Sequence, residues 1–143
     1  MGLLSTPTLA NSTPFDLRTA PEVTMLSQGL MIRIGAAPDE LCRVEDLAIG
    51  DSLWDVATQR LVDIETMACA TLGALQLAEM GLRPTQVQTA TGTGWFALSS
   101  SRLIDRDGTP TVLMQSPCVF FRLWPETRLL AEVEGRPVLL RAH

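Results

Sequence analysis

The stretch Leu98 to Gly108, LSSSRLIDRDG, sets three consecutive hydroxyls, Ser99, Ser100 and Ser101, directly before Arg102 and an Asp107-Gly108 turn. Hydroxyls beside a permanent guanidinium can form a nucleophile cluster, cradle an anion or acyl group, or cap the polar ends of a β-hairpin. Another hydroxyl, Ser27, stands two residues before Gly29, where it reads as a turn residue. What is missing bounds the chemistry. The one histidine is His143, so no internal imidazole serves a Ser-His-Asp triad or a histidine-based zinc site. All 11 basic residues are arginine, which removes Schiff-base and lysine general-base mechanisms.

A net charge of −5 over 143 residues gives no concentrated positive face for nucleic acid or an anionic membrane, so neither is expected as a partner. The local TGTGW lacks both the long-spaced Gly-Lys-Ser/Thr of a phosphate loop and the third glycine of a dinucleotide fingerprint. No cofactor and no metal are implied. The longest apolar run, GLMIRIGAA, is broken by Arg33 and is too short to span a bilayer. The opening MGLLSTPTLANSTPFDLR has neither the charged nor the apolar region of a secretory signal, which points to a cytoplasmic location. The 3 cysteines, Cys42, Cys69 and Cys118, form no C-x-x-C pair and cannot all pair within the chain; they read as free thiols and small core hydrophobes.

The elements that must position these groups are short. Residues 1–21, rich in Ser, Thr, Pro and Asn, read as a leader, extended or partly disordered, and residues 22–143 as one β-domain. Apolar runs alternate with turn signals throughout, which predicts an all-β fold of short strands and hairpins. The clearest hairpins are RLIDRDGTPTVLM, turning at Asp107-Gly108, and LAEVEGRPVLL, turning at Glu134-Gly135. In TMACATLGALQLAEMGL, Leu72, Leu75 and Leu77 among alanines, with Gly81 as a C-terminal cap, predict one short helix. Leu53 and Val56 are expected to be buried. Trp54, Trp95, Trp124, Phe96, Phe120 and Phe121 are assigned mainly to the core, with a ligand cleft as their other use.

VEDLAIGD, at Val44 to Asp51, reads by itself as an exposed acidic turn leading into a strand. It also resembles the valine-glutamate-aspartate-leucine and glycine-aspartate segment of Hedgehog/intein (Hint) domains of the bacterial stand-alone type. LRPTQVQTATGTGWFALSSSRLIDRDG is similar to that family's arginine-proline strand, glycine loop and Ser-Pro-x-His motif running into an Asp-Gly hairpin. CVFFRLWPETRLLAEVEGRP is similar to its late aromatic strand and acidic-Gly-x-Pro ending, at Glu134, Gly135 and Pro137.

The resemblance implies a compact Hint-like β-fold that brings an N-terminal nucleophile beside a central histidine. It places Ser27 at the nucleophile position, Ser100 at the motif's proline and Arg102 at its histidine. An arginine can steady an oxyanion but cannot hand over a proton near neutral pH. The expected function is therefore a degenerate Hint-like domain without protein splicing or autocleavage, acting as a binding or structural module. The alternative is residual autoprocessing, with Ser27 attacking the Leu26 carbonyl and Arg102 as electrostatic stabiliser. A binding barrel unrelated to Hint domains is a third reading. The expected partner is an unspecified protein or peptide, and strand edges offer a route to a homo-oligomer.

Overall fold

A computed structural model describes residues 20–99 and 114–142. The all-β expectation is met: the described residues form ten strands in two sheets and one short α-helix. In chain order the strands are β1 (Val23–Ser27), β2 (Met31–Arg33), β3 (Leu41–Arg43), β4 (Ser52–Asp55), β5 (Arg60–Leu72), β6 (Leu82–Thr89), β7 (Gly92–Ser99), β8 (Cys118–Pro125), β9 (Leu129–Val133) and β10 (Arg136–Leu140). Helix α1 (Ala74–Glu79) joins β5 to β6. One sheet has the order β4-β5-β8-β1-β7-β6 and the other β10-β9-β2-β3, with every strand pair antiparallel.

Alternation along the central strands decides what each face covers. Leu26, Phe96 and Leu123 point from the larger sheet toward Ile32, Leu129, Val133 and Val138 of the smaller one and form the main core between the sheets. Met25, Ala97 and Phe120 point the other way and pack against Leu77 of α1 and against Met114. β1 is thus covered on both faces, which is why its sequence reads as a near-continuous apolar run. No helix among the described residues is long and apolar enough to cross a membrane.

The Glu134-Gly135 hairpin forms as expected, with both turn residues at positive φ (51° and 75°), the geometry that suits the twist of two antiparallel strands. Gly81 ends α1 at φ 75°. Three expectations are corrected. The helix covers only Ala74–Glu79; Thr66–Leu72 instead finishes the 13-residue strand β5, because pairing with β8 outweighs the helical propensity of its alanines. Val56 is only partly buried, and its neighbour Asp55 is the buried residue, at 5% exposure. Phe96 and Phe120 are core and the half-buried Trp95 and Phe121 pack against it, but Trp54 and Trp124 lie half-buried beside clefts. The expected turn at Asp107-Gly108 lies outside the described residues.

Candidate functional site

Ser27 closes β1 at the point where the strand leaves the sheet. Leu26 still pairs on both sides, with Phe96 and with Phe121, but the β1–β7 ladder stops there. The Ser27 hydroxyl takes over for the missing rung, accepting the Trp95 N–H at 2.8 Å. It is 3% exposed. Gly94 makes the close approach possible: a Cβ on that residue would lie 2.5 Å from Leu30 Cδ2 and 3.4 Å from Ser27 Oγ.

The chain then turns through Gln28 and Gly29, the latter at φ 95°, and each successive main-chain donor finds an acceptor. Gln28 N–H donates to the Val119 carbonyl (2.8 Å) and Leu30 N–H to the Ser27 carbonyl (3.4 Å). Gly29 N–H donates to Glu45 Oε1 (2.8 Å) and Met31 N–H to Glu134 Oε2 (2.7 Å). Glu134 N–H in turn donates to the Met31 carbonyl at 2.9 Å. The acidic residues of two separate sequence stretches therefore converge on the turn that follows Ser27. Neither was a candidate from sequence, because contacts spanning 16 and 103 positions leave no local signal. In sequence Glu45 belongs to an exposed acidic turn, but in the fold its carboxylate is turned back onto the main chain. A third acid works similarly: Asp55 Oδ1 accepts the N–H of Ala57 (2.9 Å) and of Leu130 (3.4 Å), pinning the β4–β5 hairpin to β9.

The other candidates are placed differently. Ser99 pairs with Leu82 at the far end of β7. It lies four residues beyond Trp95, about 13 Å along the strand from the Ser27 contact. Ser100, Ser101 and Arg102 lie outside the described residues. Among the thiols, burial is the first cause raising the pKa of Cys42, followed by the charges of Asp46, Asp51 and Glu45. Burial likewise raises that of Cys118. Both are held toward the unreactive thiol form. Cys42 and Cys118 pack against the core as small hydrophobes, whereas Cys69, expected to do the same, is exposed on β5.

Two of the tryptophans carry arginine over their rings. Arg122 Cζ lies 4.7 Å from the Trp124 ring centroid, and the pair lines a cleft of about 330 Å³ with Glu22, Thr24 and Arg141. Arg33 Cζ lies 5.7 Å from the Trp54 centroid beside a smaller cleft of about 230 Å³. Arg33 is already engaged, by Glu132 at 3.2 Å and by the Gly35 and Ala36 carbonyls. In the larger cleft Arg141 meets Glu22 at 3.5 Å, a largely exposed and readily exchanged pair. Comparison with known protein families, with curated proteins and with solved structures finds no match to this chain.

Proposed function

We propose that the chain is a Hint-like β-domain that does not rearrange its own main chain and that acts as a binding module for a protein or peptide. The observation that carries this reading is the engagement of the Ser27 hydroxyl, which is buried and accepts the Trp95 N–H at 2.8 Å. An acyl shift at Leu26–Ser27 needs that hydroxyl on the Leu26 carbonyl, free donors for the resulting oxyanion, and an acid to protonate the departing Ser27 nitrogen. The N–H groups from Gln28 to Met31 are already bonded to Val119, Glu45, Ser27 and Glu134. Arg102, at the position that the resemblance gives to histidine, keeps its proton.

Binding is assigned to the cleft around Trp124. An indole flanked by Arg122 and exchangeable Arg141 suits a peptide that offers a carboxylate together with an apolar side chain.

Intact-mass measurement after long incubation with and without a strong thiol tests the first half. The mass is expected to stay constant in both, and in Ser27→Ala as well. Thiol-dependent loss of residues 1–26 from the wild type alone would establish the autoprocessing alternative. Titration with short acidic peptides, read by tryptophan fluorescence, tests the second half. Saturable quenching lost in Arg122→Ala is expected, and its absence across the peptides would remove the cleft from the account.

A further inference from the structure

Strand β5 is longer than its neighbour on one side. Arg60–Asp63 pairs with β4, and Ile64 exchanges bonds with the Gly50–Asp51 loop (Gly50 N–H to the Ile64 carbonyl, 2.9 Å; Ile64 N–H to the Asp51 carbonyl, 2.7 Å). Beyond Ile64 the strand continues to Leu72 with β8 along one edge only. Among the described residues, nothing pairs with the other edge of Glu65–Leu72. Ala68, Cys69, Ala70 and Thr71 are exposed in succession, so both faces and the outer edge are open there. Natural edges are commonly protected by proline, by charge or by brevity. This one has no proline, and Glu65 is its sole charged residue. The opposite edge of the sheet differs, since β6 carries Pro84.

We propose that this edge pairs with the same edge of a second copy of the chain, antiparallel about a two-fold axis at Cys69, to form one continuous sheet across a homodimer. The inference does not depend on the Hint-like reading or on the Trp124 cleft. The register follows from geometry. Neighbouring residues send their N–H and C=O groups to opposite sides of a strand, so a symmetric antiparallel pair must set one residue against its own copy. The free edge is bounded at one end by the Gly50–Asp51 loop on Ile64 and at the other by α1, which starts at Ala74. Gly73 is already engaged, its N–H by Gln76 Oε1 at 2.7 Å and its carbonyl by the Leu77 N–H at 3.0 Å, so the free edge ends at Leu72. Of the residue-centred registers on Glu65–Leu72, the one centred on Cys69 pairs Thr66–Leu72 and leaves the charged Glu65 outside the ladder.

That register sets Ala68 against Ala70, Met67 against Thr71 and Thr66 against Leu72. The small residues fall at the centre and allow close approach, and the two Glu65 carboxylates stay at opposite ends. The ends also match. One carries Ile49, 64% exposed beside the Gly50–Asp51 loop, and the other carries Leu75, 74% exposed at the start of α1. The two-fold brings each end alongside its opposite in the second copy, so that two exposed apolar side chains per end are drawn together.

The test is the molar mass of the full chain by sedimentation across a range of concentrations, together with oxidative cross-linking. Wild type is expected to approach twice its 15.6 kDa mass. The Ala68→Lys/Ala70→Lys variant, which sets like charges against each other across the axis, is expected to dimerise at least about tenfold more weakly. Ala68→Glu/Ala70→Lys, with opposite charges facing, restores the dimer and controls for folding. In a Cys42→Ser/Cys118→Ser background, mild oxidation is expected to give a disulfide-linked dimer through Cys69. A chain that stays monomeric throughout, or a dimer indifferent to the lysine pair, overturns the proposal. A charge-sensitive dimer without the disulfide overturns the Cys69 register.

Discussion

From Gln28 to Met31 every main-chain donor is taken, two of them by carboxylates reaching in from Glu45 and Glu134. Two strands away in the same sheet, Glu65–Leu72 leaves a whole edge of main chain without a partner among the described residues. The first region holds the residue types that invite a catalytic reading, a serine and two glutamates, yet all three are occupied in holding a turn. The second is mostly alanine, threonine and other uncharged residues that suggest no acid–base chemistry in a sequence, and it is the region with bonding capacity to spare. Residue type indicates what a side chain could do; the accounting of donors and acceptors indicates whether it is still available to do it.

Substitutions at the turn should be costly. Gly94→Val forces a branched side chain into space where even a Cβ meets Leu30, and is expected to destabilise by about 3 kcal/mol in urea unfolding. Glu45→Ala removes a charged acceptor from the Gly29 N–H and should cost about 2 kcal/mol by the same measurement. If either variant unfolded with the wild type, the turn would not be the rigid half of the contrast.

The thiols extend the contrast to reactivity. In dilute monomer, Cys69 on the open edge should be alkylated at least about tenfold faster than Cys42 or Cys118. Because burial and nearby carboxylates raise the Cys42 pKa, its alkylation rate should still be climbing with pH above the ordinary thiol range. A pKa raised by folding stabilises the native state at neutral pH, and that contribution fades as pH rises through the raised value. Mass spectrometry of each labelled peptide against pH reads both effects, and equal rates at the three sites would erase the distinction.

Much of the architecture was legible in the sequence for local reasons. Glu134-Gly135 flanked by apolar runs announces a hairpin, and Gly81 announces the end of a helix, because each depends on the φ that its own residues must adopt. Thr66–Leu72 reads as helix because its alanines favour one, and only the aromatic strand Cys118–Pro125, far away in sequence, makes it a strand. The tryptophans were assigned to the core by bulk, whereas Trp54 and Trp124 lie half-exposed beneath arginines, an arrangement their spacing does not encode. Of the candidate site, Ser27 could be named but its partner could not. The bond to Trp95 exists because a ladder ends one residue early, and no pattern along the chain announces where a ladder stops.

Leu139 of β10 donates its N–H to the Pro21 carbonyl at 2.8 Å, and Glu22 meets both Leu139, by a parallel bridge, and Arg141. Residues near the two extremes of the described domain are thus clasped together, so tension applied through both ends would strain this single clasp before it reached either sheet. A pulling experiment should accordingly register a first event in which the parallel contact of β10 with Pro21 and Glu22 is sheared apart, followed by a separate rupture of the sandwich.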